Sequence, residues 1–177
     1  VLDPIAKSLH VHTLTGLIDF VSASGPEVLN SIFHVRDYDE VAIVSEVFGE
    51  YRQREERVVA SAYKFDHHFG RSLAGEDFIP YLQSMFVQDD MTAAVMALVG
   101  NLVHKEEVSV SDDGVTQAVV VKKGVHITQK QTIPNQLALR PFRTFADIEQ
   151  PASNFALRIK FNDKGVPFCT LHEADGG

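Results

Sequence analysis

Apolar and polar positions follow two periods along the chain, helical in three stretches before residue 103 and mostly alternating elsewhere. The helical stretches carry apolar residues every three or four positions, around residues 14–21, 78–86 and 91–102. Thr13 or Thr15 can cap the first helix, and Asp89 can cap the third. Gly25-Pro26 ends the first, and we expect Pro80 in or near the first turn of the second, where proline is tolerated. The pattern therefore predicts three helices.

The remaining periodic stretches have the alternation and β-branched content of strands. A short strand at residues 8–13 precedes the first helix, and runs at 32–36, 40–47 and 57–63 predict an antiparallel meander with a turn at Arg36–Asp39. From residue 104 the chain is nearly all β, with hairpin turns at Asp113-Gly114 and Asn162–Gly165. The prediction is an α+β fold, with antiparallel sheet packed against about three helices and a C-terminal half that is mostly β.

A chain of 177 residues favours one domain with its own core. We predict a single α+β domain over 1–177, made of a mixed α/β half (1–103) and a β-rich half (104–177). The sequence starts without Met and stops abruptly at EADGG. We expect that both ends are trimmed relative to the natural product.

Charge and composition narrow the classes of partner. The net charge of −8 argues against binding duplex nucleic acid, because phosphate contacts by basic residues supply most of that affinity. No apolar run approaches the roughly 18 residues that a membrane span needs. The single cysteine, Cys169, cannot form an internal disulfide, which favours a reducing, intracellular compartment.

Two histidine pairs are the first candidates for chemistry. His10 and His12 share a face of the predicted strand, but spacing fixes no third ligand, as zinc would require. The second pair is His67 and His68, next to Asp66. His67 with Asp66 could form a general base and its orienting carboxylate, yet the sequence marks no nucleophile for them. We therefore predict no metal, no cofactor and no catalytic residues.

Known catalytic and ligand-binding motifs are missing from the sequence: it has no P-loop, no G-x-S-x-G, no G-x-G-x-x-G, no H-E-x-x-H and no C-x-x-C. Asp112-Asp113-Gly114 lacks the spaced ligands of a calcium loop and is typical of a turn. The interpretation leans away from an enzyme, and an enzyme of unrecognised class stays open.

The most distinctive segment is Leu139–Lys160, in which basic residues interleave with Phe142, Phe145 and Phe155. Such a mixture can bind single-stranded nucleic acid by stacking and phosphate contacts. Asp147 and Glu149 offset part of the charge, and phenylalanines at this spacing are more often core residues. We therefore favour a structural or self-association role, and the candidate binding residues are Arg140, Phe142, Arg143 and Arg158.

Several strings resemble a phage and prophage family of uncharacterised proteins, the YfdQ-like family. They are LHVHTLTGLIDF, FHVRDYDEVAIVS, YLQSMFVQDD, LVGNLVHKEEVSVSDDGVTQAVVVKKGV, LRPFRTFADIEQPASNFALRIK and LHEADGG. The resemblance covers most of the chain in order. It implies a phage or prophage origin, a location in the host cytoplasm and genes near those for DNA replication and recombination, but no established activity or site residues.

Three hypotheses follow from these observations. The first is a non-enzymatic phage protein that acts by self-assembly or by binding a phage or host protein. The second is an accessory protein of phage DNA replication or recombination that contacts single strands, and the third is an unrecognised enzyme. A homo-oligomer is expected because the sheet of the β-rich half has two edges with few blunting residues, and exposed edges invite pairing.

Overall fold

The computed structural model describes residues 4–28, 30–103, 107–112, 116–123, 126–134 and 136–176. The chain forms two compact units: unit 1 is Val1–Phe65 with Phe142–Gln150, and unit 2 is Asp66–Pro141 with Pro151–Gly177. The α+β fold predicted from sequence is confirmed by three α-helices and largely antiparallel sheets among these described residues. The predicted single domain with halves meeting at residue 103 stays a prediction, and the units divide at other positions.

Unit 1 is built around a four-stranded sheet of order β1-β4-β3-β2. Strands β2 and β3 form the predicted hairpin, and β3 and β4 are also antiparallel, whereas β1 pairs with β4 in parallel. One helix, α1, lies against the sheet, and a short 3₁₀ turn at Gly25–Val28 follows it. The bounds are β1 (Leu9–Val11), α1 (Leu14–Ala23), β2 (Ile32–Asp37), β3 (Glu40–Val44) and β4 (Glu56–Ser61).

Helix α1 starts where the sequence predicts it. The hydroxyl of Thr13 accepts a hydrogen bond from the Gly16 amide at 3.0 Å, which satisfies one of the free amides of the first turn. The helix buries Leu17 against Ile43, Val58 and Ala60, which face it from β3 and β4. These residues are the centre of the unit 1 core.

Unit 2 has a second four-stranded sheet, of order β5-β11-β10-β9, and two helices that pack on it and on each other. A separate three-stranded antiparallel sheet has the order β6-β7-β8. The bounds are β5 (Ser72–Ala74), α2 (Gly75–Met85), α3 (Asp90–Val103), β6 (Glu107–Asp112), β7 (Thr116–Lys123), β8 (His126–Pro134), β9 (Gln136–Leu139), β10 (Ser153–Phe161) and β11 (Pro167–Glu173).

Both hairpins predicted for the second half have antiparallel flanks. The Asn162–Gly165 turn joins β10 to β11, Gly165 has φ +75°, and the Asn162 amide donates to the Val166 carbonyl at 3.1 Å. Strands β6 and β7 are antiparallel as predicted, but the Asp113-Gly114 turn between them lies outside the described residues.

The expected position of Pro80 was wrong. Helix α2 begins at Gly75, so Pro80 is its sixth residue and lies in the second turn. The carbonyl that would accept the missing proline N–H belongs to Glu76, in the first turn, so one helical hydrogen bond is lost. Burial of Phe78 and Leu82 on either side of Pro80 stabilises the helix in spite of this loss.

Alternate residues of β9, β10 and β11 are buried against α2 and α3. An aromatic cluster lies at the centre, where Phe155 contacts Phe69 and Phe86 at ring-centroid distances of 5.1 and 6.0 Å. Within the described residues, no helix is both long and apolar enough to cross a membrane.

Candidate functional site

The segment Phe142–Gln150, the central part of the distinctive Leu139–Lys160 motif, folds back on itself within unit 1. The buried Gln150 amide donates to the carbonyls of Phe145 at 2.8 Å and Ile148 at 3.0 Å, and its oxygen accepts from the Arg143 amide at 3.0 Å. Phe145 is 2% exposed and belongs to the unit 1 core. Gln150 therefore closes the loop, and Phe145 anchors it.

Asp147 connects this segment to helix α1. Its carboxylate accepts from the amides of Leu14 at 3.3 Å and Thr15 at 2.7 Å, and from the Thr15 hydroxyl at 2.8 Å. Desolvation raises the pKa of Asp147, but hydrogen bonds from Thr15 and Leu14 outweigh it, and the pKa is lowered overall. A negative charge at a helix N-terminus is also stabilised by the helix dipole.

Phe142 and Thr144 make two further contacts of the segment within unit 1. The Phe142 ring stacks on Phe65 with centroids 5.4 Å apart and planes at 24°. The Thr144 hydroxyl donates to the Tyr38 carbonyl. The motif that was a candidate for stacking bases therefore makes internal contacts that hold unit 1 together.

Arg140 lies just before this segment, in unit 2. Its Nε is 3.2 Å from Oδ2 of Asp89, whose other oxygen accepts from the Thr92 amide at 2.9 Å and caps α3 as predicted. Burial raises the pKa of Asp89, but the hydrogen bonds from Thr92 and Arg140 are stronger and lower it overall. Arg140 thus supports a helix cap.

Arg158 lies at the other end of the β9–β10 pair from Arg140. Leu139 is opposite Ser153, so Arg140 is level with position 152, six residues and roughly 20 Å along the strand from Arg158. Phe155, between them, is fully buried. Phe142 and Arg143 belong to unit 1, whereas Arg140 and Arg158 lie at separate places in unit 2.

His67 and His68 pack among aromatic rings of unit 2. His67 stacks on Phe69 with centroids 4.7 Å apart, and the His68 amide donates to the Tyr81 hydroxyl at 3.2 Å. Burial raises the pKa of Tyr81 to about 12. These contacts are those of a packed loop.

The other histidine pair lies on β1 and its end. His12 stacks on Tyr63 at 4.4 Å and its Nδ1 is 2.9 Å from the Ser61 carbonyl oxygen, while His10 is 3.4 Å from the Ser8 hydroxyl. In the part of the chain that the structure describes, no three His, Cys, Asp or Glu side chains are grouped as metal ligands would be.

Two open depressions of about 530 and 520 Å³ lie in unit 1 and share Glu55 and Arg57. These residues face each other, with Arg57 Nε 3.8 Å from Glu55 Oε2, and the other Glu55 oxygen accepts from the Ala6 amide at 3.3 Å. The charges of Glu55 and Arg57 are therefore directed at each other, and the Glu55 carboxylate also faces a backbone amide.

The surface that sequence reasoning missed is the edge strand β2. All six of its residues are exposed, with Phe33 at 58% and Val35 at 71%, and Tyr38 in the adjoining turn is exposed at 70%. We call Ile32, Phe33, Val35 and Tyr38 the β2 edge surface. A signal was present in the sequence, because Ile32 and Phe33 point to opposite faces and demand cover on both.

No protein-family model, curated protein or solved structure matches the chain. The resemblance to the YfdQ-like phage family therefore stays a prediction from the sequence strings, and the candidate site is defined by geometry alone.

Proposed function

We propose that the protein is a phage-encoded, non-enzymatic protein that acts by self-assembly in the host cytoplasm. The sequence strings similar to the phage family support the origin and location. The observation that supports self-assembly is the β2 edge surface. It presents apolar side chains on both faces of a strand at the edge of a sheet. Such edges pair with other strands unless they are blunted or covered.

The residues that were candidates for other functions support this choice. Phe145 and Phe155, two of the three aromatic residues needed for a stacking platform, are buried in separate cores. His67 and His68 contact aromatic rings of the core. Among the described residues, the β2 edge surface combines exposed apolar side chains with a position at the edge of a sheet.

Multi-angle light scattering on the full chain tests the proposal. We expect a mass of at least twice 19.6 kDa at micromolar concentration. A mass of one chain across the micromolar range contradicts self-assembly, and turnover of a substrate would contradict a non-enzymatic role.

A further inference from the structure

We propose that β2 pairs with β2 of a second copy of this chain, antiparallel and centred on His34, so that two sheets of unit 1 become one. This inference rests on the proposed function and names its interface. It depends on the strand's free edge, its apolar residues and its self-complementary order.

The edge is long enough and open enough to pair. Among the described residues β2 hydrogen-bonds only to β3, and its six residues span about 20 Å. It contains neither proline nor lysine, the residues that most often blunt an edge. The opposite edge of this sheet, β1, has three residues and offers less backbone.

The apolar side chains of β2 lie where α1 does not protect them. Phe33 is paired with Ile43 and Val35 with Val41, so both point to the face on which α1 packs. Helix α1 packs mainly on β4 and β1, and β2 is two strands, or about 10 Å, from β4. A neighbouring strand with its own apolar residues would cover them.

The order of residues in β2 selects the register. A two-fold axis perpendicular to the sheet and passing between the two copies of His34 places Phe33 opposite Val35 of the second copy, twice. This register also places Ile32 opposite Arg36, but it keeps two apolar pairs, whereas centring on Val35 keeps one within β2, Val35 opposite itself, and places Phe33 opposite Asp37. Moving the centre to Arg36 would place like charges opposite each other, which is unfavourable. Moving it to Phe33 would leave Arg36 and Asp37 without partners in the other strand.

Charge permits this contact in spite of the net charge of −8. Strand β2 contains one arginine and one aspartate, so it is close to neutral. The Arg36 guanidinium is held by Glu40 at 3.0 Å and by Glu56, which keeps these charges within one copy. The irregular pairing with β3 at Arg36 lies beyond the Phe33–Val35 pairs.

Cysteine cross-linking tests the register directly. In His34→Cys the two thiols would lie across adjacent strands, with Cα atoms about 4.5–5.5 Å apart, which a disulfide can bridge. Diamide accepts the two electrons and two protons when the S–S bond forms. The matched control is Ile32→Cys, whose two copies would be four residues, or about 13 Å, apart and would not cross-link.

Native Cys169 provides little background because it is fully buried, and burial raises its pKa to about 12. We expect His34→Cys to form a dimer on non-reducing gels and both Ile32→Cys and the native chain to remain single chains. Cross-linking of Ile32→Cys, or equal cross-linking of both variants, would overturn the register.

A charge substitution tests the interface without covalent chemistry. Phe33→Asp places a carboxylate opposite Val35 twice per dimer, and we expect the dissociation constant to rise by about tenfold or more. Tyr51→Asp, at another exposed aromatic residue of unit 1, is the matched control and should leave it unchanged. Circular dichroism establishes that both variants are folded, and Val35→Asp replaces Phe33→Asp if that chain does not fold.

The outcomes separate the two proposals. A native dimer that resists Phe33→Asp and does not cross-link at position 34 overturns this interface and leaves self-assembly standing. A native monomer overturns self-assembly, and the interface with it. A native dimer that cross-links at position 34 and is weakened by Phe33→Asp supports both self-assembly and this interface.

Discussion

Each unit contains a four-stranded sheet, but the two sheets are covered to different extents. In unit 2, α2 and α3 lie on one face, and fifteen of the described residues form one buried cluster. In unit 1, α1 lies on the corresponding face, and the cluster has seven buried residues. Four strands span about 14 Å between the outer two and a helix is about 10 Å wide, so two helices cover such a face and one does not.

The difference explains where each unit is exposed. Alternate residues of β10, β11 and the edge strand β9 are buried in unit 2, whereas the edge strand β2 of unit 1 is exposed along its whole length. In unit 1, the segment Phe142–Gln150 supplies one buried ring to the core, and its Asp147 accepts hydrogen bonds from the start of α1. With one helix on its sheet, unit 1 therefore leaves the apolar side chains of β2 exposed.

The largest effect should come from the unit 2 core. Phe155→Ala removes a fully buried ring that contacts Phe69 and Phe86, and we expect the free energy of unfolding to fall by about 3–5 kcal/mol. Phe33→Ala on the exposed strand should change it by less than about 0.5 kcal/mol in the monomer. Urea denaturation at low protein concentration measures both, and equal losses would contradict the difference in cover.

A pair of glycines tests how closely the unit 2 helices pack. A Cβ on Gly75 would lie 2.7 Å from Val103 Cγ2 and 3.1 Å from Pro167 Cγ, so we expect Gly75→Ala to cost about 1–3 kcal/mol. Gly100, inside α3, has Ile79 Cδ1 at 3.9 Å, an ordinary contact. Gly100→Ala should therefore stabilise the chain by about 0.5–1 kcal/mol. Thermal unfolding midpoints that shift in the same direction would exclude this packing.

Gln150 holds the segment Phe142–Gln150 in its folded-back conformation. Gln150→Ala leaves the carbonyls of Phe145 and Ile148 and the amide of Arg143 without their partner, and we expect a loss of about 1–3 kcal/mol. Gln136→Ala, at an exposed position on β9, is the control and should cost less than about 0.5 kcal/mol. Chemical denaturation that finds no difference between them would show that the returning segment is dispensable.

The smallest expected loss of stability comes from substituting Asp147, and this loss depends on pH. Asp147→Ala removes the acceptor for Leu14 and Thr15, and we expect a loss of about 1 kcal/mol or less because the carboxylate is exposed. Its pKa is lowered in the folded chain, so its contribution is complete above the unfolded value of about 3.9 and is lost as the pH falls through the folded value.

The measurement is the difference in unfolding free energy between the native chain and Asp147→Ala across a pH series. The difference should be constant near neutral pH and should shrink in acid. Asp19→Ala, on an exposed face of α1, is the control. It should show neither the loss of stability near neutral pH nor a change of that loss in acid. A difference that grows in acid would contradict the assigned contacts.

Much of the fold was predictable from local pattern. Apolar spacing placed the three helices, Thr13 and Asp89 marked two helix starts, and Asn162–Gly165 marked a hairpin. These features depend on residues within four or five positions of one another. The sequence also predicted β2 and its hairpin, but not that β2 would be the uncovered edge, because cover depends on how many helices reach a sheet.

The distinctive segment Leu139–Lys160 shows most clearly what could not be predicted from the sequence. Its residues favoured a structural role and left an aromatic and basic binding surface as an alternative. The chain enters unit 1 at Phe142 and returns to unit 2 at Pro151, and Phe145 is buried. Nothing local encodes a contact between Asp147 and Thr15, 132 positions apart. The β9–β10 pairing and the parallel position of β1 beside β4 are likewise long-range.

The sequence by itself thus determined which segments are helices and strands, and where several of them begin and turn. Tertiary structure decided which sheet each strand joins, which of the motif's side chains are buried, and which edge is left exposed. The physical reason is that capping and turn formation are satisfied by near neighbours, whereas burial requires apolar faces from distant parts of the chain to meet.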